Sequence, residues 1–287
     1  MVASSPTVSA WELGLRLRER RELSGIRSTD VADRIGVTQS YVSEVERGKT
    51  RITKETLDKL LDVYEFDKAE RRELHALRES GGQRAWWHSY TATFSAEVLR
   101  FFAYEDGAES IRTFDAGLVP GLLQTADYAR AVMHGGGPNI RQAEADHRVE
   151  ARMMRQRRLF GETPLHLTAV LDEGVLHHHI GGRVVMAEQL HHLVDLVEQH
   201  PDNIDLRVVP FSADCYNALS GSTFHIVTFA SPKLPTLVWQ ETVSSTDLID
   251  NAMGVREYSL AYDQAMKFAL DREGSVALIK QIIEEFE

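Results

Sequence analysis

Apolar positions over residues 11–67 recur at helical spacing, and the polar residues between them fall where helices start and stop. Leu13 and Leu17, four apart, mark the inner face of a first helix predicted over residues 11–24 and stopped by Gly25. Val31, Ala32 and Ile35 make the stripe of a second helix, 30–35, with Ser28 or Thr29 as its cap and Asp30 favourably placed in its first turn. Gly36 and Val37 form a tight corner. Thr38 then caps a third helix, 39–47, that turns Val42 and Val45 inward and ends at Gly48. Thr53 caps a fourth, in which Leu57, Leu60, Leu61 and Tyr64 follow the i, i+3, i+4, i+7 rule. A charged helix over 68–80 runs into Gly81-Gly82.

Beyond that glycine pair the pattern changes. Trp86, Trp87, Tyr90, Phe94, Phe101, Phe102 and Tyr104 read as a segment that docks by burying aromatic area, in preference to a ligand-stacking surface. Strands are predicted over 110–114, 165–171, 204–209, 223–229 and 237–240. Helices are predicted over 124–133, 141–160, 184–199, 247–260, 262–269 and 275–286. The expected fold class is α+β overall, an N-terminal all-α helix-turn-helix domain plus a C-terminal α/β domain with a mixed sheet. The expected boundaries are 1–80 for DNA binding, 81–110 for an aromatic linker or docking segment, and 111–287 for a ligand- or partner-binding regulatory domain.

The first unit carries a more specific signature. The run Leu13-Gly14-x-x-Leu17-Arg18-Glu19, then Val31-Ala32-Asp33-Arg34-Ile35-Gly36-Val37-Thr38-Gln39-Ser40-Tyr41-Val42-Ser43, then Val45-Glu46-Arg47-Gly48, resembles the lambda-repressor-like, XRE-type helix-turn-helix domain. The resemblance implies that residues 39–47 are the recognition helix. Gln39, Ser40, Tyr41 and Ser43 then lie on its groove-facing part. Gln suits adenine, Ser several bases, and the Tyr edge a thymine methyl. Ser28, Thr29 and Thr38 stand at helix starts, where phosphate is held; Arg47, Lys49 and Arg51 suit phosphate. Two positions depart from the family pattern: Ser28, where Gln is common, and Glu44, where a basic residue is common. Glu44 is expected to repel phosphate unless it pairs with Arg47 or accepts from cytosine.

The second unit is similar to the C-terminal domain of actinobacterial XRE-type regulators of the WhiJ-like group. The most specific string is Pro120-Gly121-Leu122-Leu123-Gln124-Thr125, supported by Arg155-Gln156-x-Arg158-Leu159 and Leu171-Asp172-Glu173. That resemblance implies control of DNA binding by a small cognate protein or ligand at this domain. On residue chemistry alone, Gln124 is expected to satisfy backbone groups near a helix start.

Charge refines the picture. The net charge is −11. Residues 1–67 hold 11 Lys/Arg against 12 Asp/Glu, and the remainder 21 against 31, so the acidity belongs to the second unit. Long-range attraction to DNA is weak, and binding rests on a few placed groups. There is no secretory signal, no stretch of roughly 20 apolar residues, and a single cysteine, Cys215, so a cytoplasmic, nucleoid-associated protein with no membrane partner is expected.

Catalytic and metal chemistry find little support. His177, His178, His179, His191, His192, His200 and His225 lack ligand spacing, although His177 and His179 would share a face if on a strand. Cys215 reads as an inert thiol and the Gly135–138 run as a loop without the lysine of a phosphate cradle. Arg148, Arg152 and Arg155 share a helical face that either is solvated and pairs with Glu144 and Glu150 or grips an anion. The final helix has an apolar face of Ile279, Ile282, Ile283 and Phe286, for core or a dimer seam.

The expectation is therefore a non-enzymatic transcription regulator, a repressor or developmental regulator, with no cofactor. It binds double-stranded DNA as a homodimer, because one recognition helix spans only a few base pairs. The alternative is an antitoxin-like protein that sequesters a small cognate protein and uses DNA only for autoregulation. A DNA-tethered enzyme would need a constellation around Cys215 that no motif supplies.

Overall fold

The computed structural model describes residues 4–135, 142–213, 223–242 and 245–286. Cys215, residues 136–138 of the glycine run, Arg141 and the 220–222 stretch lie outside them.

The N-terminal bundle contains α1 (Pro6–Leu23), α2 (Ser28–Ile35), α3 (Gln39–Glu46), α4 (Lys54–Val63) and α5 (Lys68–Gly81). The first helix starts five residues before the predicted Trp11. Ser5 accepts from the Val8 amide and Pro6 occupies the first turn, where a missing N–H costs nothing. Thr38 and Thr53 cap α3 and α4 as expected, and Asp67 with Glu70 forms a capping box on α5. Leu17, Val31, Val42, Leu57, Leu61 and Leu74 are sealed in one core.

The second unit follows as α6 (Ala96–Gly107), β1 (Ser110–Asp115), α7 (Ala126–Gly135), α8 (Gln142–Gln156), β2 (His166–Asp172), α9 (Gly174–His177), α10 (Arg183–Gln199), β3 (Ile204–Val209), β4 (Phe224–Thr228), β5 (Leu237–Glu241), β6 (Thr246–Ile249), α11 (Ala252–Phe268) and α12 (Arg272–Phe286). The sheet order is β3-β2-β1-β4-β5-β6. β1, β2 and β3 run parallel, and β4, β5 and β6 continue antiparallel. The chain is α+β, with a helical N-terminal region and a mixed sheet beyond it. One sheet face, with Ile111, Leu167, Ala169, Leu206 and Trp239, packs in the same core as α6, α10 and α12. The other, with Phe114, Val170, Ile226 and Val238, packs with Tyr262 and Ala265 of α11. Ile279, Ile282, Ile283 and Phe286 are buried in the first of these cores.

Two elements differ from expectation. Residues 246–249 form an edge strand paired to β5, and the helix placed over 247–260 begins at Ala252 and absorbs the next predicted helix. The aromatic stretch contains α6, capped by Ser95. Trp86 stacks on Phe102 and Phe101 on Trp239, so these rings belong to the core of the sheet unit.

The two units share α1. Trp11 lies between Tyr104 and Phe229, with ring centroids 5.4 and 5.6 Å away. Ser231 donates to Glu12, and Ser5 to the Ala103 carbonyl. No helix among the described residues is long and apolar enough to cross a membrane.

Candidate nucleic-acid interface

Gly36 has φ 75°, so α2 turns directly into α3 at a residue without a Cβ to strain. Val31, Ala32 and Ile35 face Val42 and Val45 across that corner, all buried. With its apolar face committed, α3 presents its other side outward. Thr38, Gln39, Ser40 and Arg47 are exposed, and Ser43 and Tyr41 half-buried. The Gln39 amide nitrogen donates to Ser28 Oγ (3.2 Å) and Ser43 Oγ (2.9 Å), which aims the side chain and ties α2 to α3. Arg47 donates to the Ser43 carbonyl. Tyr41 leans against the bundle core.

Arg18 and Arg21 of α1, with Gln39, Ser40, Ser43, Glu46 and Arg47, surround an open depression of about 410 Å³. Arg18 was not singled out in the sequence; its signal is its place on α1 one residue past Leu17, off the buried stripe. It pairs with Glu22 on the open surface. Arg21 is committed to Glu46.

Several expectations change. Ser28 and Thr29 are not caps: α2 begins at Ser28, behind Arg27, which makes no side-chain cap bond. Thr29 is exposed, and Arg27 pairs with Asp30, holding that carboxyl below its ordinary value. Glu44 does not pair with Arg47; it accepts from Thr50 Oγ1 at 2.9 Å. Lys49 donates its backbone N–H to the Glu44 carbonyl beyond Gly48, at φ 67°, and its side chain stays exposed. Arg51 is exposed and donates to the Gln83 carbonyl, 3.1 Å away.

In the second unit the polar residues serve the fold. Gln124 is buried, donates to the Val119 carbonyl and accepts from Arg152 (both 2.6 Å). Gln189 accepts from the Thr125 amide and donates to the Leu123 carbonyl. The arginine face is largely turned inward, although Arg148 makes the expected pair with Glu144, at 3.8 Å. Arg155 makes a two-point pair with buried Glu105, and Arg148 donates to the Thr93 carbonyl. Burial pushes Arg152 down to about 10. His177 ends α9 instead of lying on a strand with His179, and bonds Glu173; His179 packs on Phe286. Among the described residues no group of acidic, His or Cys side chains has the geometry for a metal ion.

A family model described as Helix-turn-helix domain matches residues 12–74, and one described as Domain of unknown function (DUF5753) matches residues 98–281. No curated protein and no solved structure matches the chain.

Proposed function

The chain belongs to the family described as Domain of unknown function (DUF5753), and we propose that it is a sequence-specific DNA-binding transcription regulator of the XRE type and the WhiJ-like group. The single observation behind this reading is the outward face of α3, where Gln39, Ser40, Ser43 and Arg47 stand clear of the core on a helix held by Thr38 and Gly36. In this reading α3 enters the major groove. Gln39, Ser40, Tyr41 and Ser43 meet base edges; Ser28, Thr29, Thr38, Arg47, Lys49 and Arg51 meet phosphates. Arg18 joins the phosphate set from the flank of the same depression.

The working form is a cytoplasmic homodimer spanning two half-sites about 34 Å apart. Repression is the expected direction, with the DUF5753 domain receiving a small cognate protein or ligand. Trp11 supports the last step: it belongs to a helix of the DNA-binding bundle and packs against two aromatic rings of the sheet unit.

The test is fluorescence anisotropy of the purified chain on DNA from its own upstream region, with shuffled DNA as control, across a salt series. The reading expects sequence-dependent binding with a modest salt slope. Equal binding to both DNAs at every salt concentration rules out sequence-specific recognition by this chain alone.

A further inference from the structure

A cavity of about 180 Å³ opens in the N-terminal bundle beside the passage to the second unit. Its walls are Ala10 and Leu13 of α1, Val45 of α3, Ile52 of the following loop and Leu77 of α5. Leu13, Val45 and Ile52 are buried core residues, so the floor is apolar. The glycines at the end of α5 complete the rim, and Gly81 lies so near α1 that a Cβ there would stand 3.2 Å from the Ala10 nitrogen. An apolar cavity of ~150 Å³ is enough to admit benzene in a protein interior. This one has room for a ring or a short alkyl chain.

Its polar groups are the Thr50 hydroxyl, which donates to Glu44, and two guanidinium groups. Arg51 is exposed and its Nη2 donates to the Gln83 carbonyl, a neutral acceptor. Arg78 is half-buried, and its Nη2 pairs with the exposed Glu79 at 3.3 Å. Arg78 thus has an exposed ion-pair partner and Arg51 a neutral one, and both guanidinium groups can take up a carboxylate. A carboxylate matches a guanidinium in charge and in geometry.

We propose that this cavity binds a small monocarboxylate with an aromatic or short aliphatic body, the body against Leu13, Val45 and Ile52 and the carboxylate on Arg78 and Arg51. The ligand then touches the helix that carries Gln39, the helix that carries Trp11 and the end of α5. Arg51 is also one of the proposed phosphate contacts, so binding is measured without DNA and the test varies only Arg78 and Leu77.

The experiment is calorimetric titration of the full chain with sodium benzoate, with benzyl alcohol (ring without charge) and inorganic phosphate (charge without ring) as comparisons. Benzoate is expected to bind saturably and more tightly than either. Arg78→Gln, at a half-exposed position, is expected to weaken benzoate about tenfold and leave benzyl alcohol unchanged. Leu77→Phe, which fills the space, is expected to abolish both, and thermal unfolding verifies that each variant is folded. Absence of saturable benzoate binding overturns the proposal. So does phosphate binding as tight as benzoate, or benzoate affinity indifferent to both substitutions in folded protein.

Discussion

Arg21 grips both carboxylate oxygens of Glu46, with its Nε at 2.6 Å and Nη2 at 2.9 Å, and so fastens α1 to the last turn of α3. Glu46 is 6% exposed and has Tyr64 as a second, longer partner at 3.4 Å. Removing one member of a buried pair strands the other charge, while replacing both with apolar groups does not. Arg21→Ala is expected to lower unfolding stability by about 3 kcal/mol, and Arg21→Met with Glu46→Leu to recover most of that. Urea unfolding of the three proteins checks this. A single variant within roughly 0.5 kcal/mol of wild type would mean that Glu46 finds water when Arg21 is gone.

Gln39 bears the most specific recognition expectation, because Ser28 and Ser43 fix its amide before DNA arrives. Gln39→Ala is expected to weaken specific binding by ~1–3 kcal/mol and to relax preference at one base pair. Anisotropy on operators altered one pair at a time reads both effects. An equal loss on every sequence would reassign Gln39 to holding α3 in place.

Apart from the cavity, Arg51 has two competing roles. Its partner is the Gln83 carbonyl at the end of the bundle, and its charge is exposed. If it also meets phosphate, Arg51→Ala weakens all DNAs alike and reduces the logarithmic salt slope by about 1. An unchanged slope would leave it as a brace for residues 81–83.

Much of the DNA-binding unit is legible in the sequence because its determinants are local. Thr38 and Thr53 cap helices a few residues away, and the Val31, Val42 and Leu57 stripes need only helical periodicity. Five strands are legible for the same reason. What escapes depends on distant partners. β6 is a short edge strand with half-buried residues, so no apolar run announces it. α6 hides in an aromatic-rich stretch whose helical face is set by Trp86 and Trp239. Arg152 and Arg155 have the spacing of a solvated face, but Gln124 and Glu105, some 28 and 50 residues away, bring them inside. Glu44 finds Thr50, six residues on, rather than Arg47 at helical spacing.

Trp11 joins the two units by its rings, and its contacts with Tyr104 and Phe229 carry no charge to be screened by salt. Trp11→Ala is expected to cost about 3 kcal/mol of stability and to raise amide exchange at the N-terminal end of α1 before the rest of the bundle. Hydrogen exchange with mass readout distinguishes these segments. Uniform change across the chain would mean that Trp11 supports a single cooperative core instead of a joint.

Asp115 and His225 lie on adjacent strands, Thr113 standing opposite His225 in the register and donating to Asp115 at 2.7 Å. Burial raises Asp115 to about 7, partly offset by the Thr113 and Thr223 hydroxyls. Burial, helped by the Arg155 charge, lowers His225 to about 3. Between pH about 4 and about 7 the folded chain holds a proton on Asp115 that the unfolded chain has lost, so this group subtracts stability as pH rises. His225 acts in the opposite sense: its contribution is complete above about pH 6.5 and is lost as pH falls toward 3. The two slopes overlap and oppose each other, which flattens the wild-type profile between about pH 4 and 6.5. Asp115→Asn, which resembles the protonated carboxyl, leaves the histidine slope exposed. The variant is expected to gain stability with rising pH by up to about 1.4 kcal/mol per unit across that window, and to exceed wild type most above pH 7. Denaturant midpoints at several pH values from about 4 to 8 decide it. A variant that tracks wild type in parallel would show that Asp115 is ionised in the folded chain throughout.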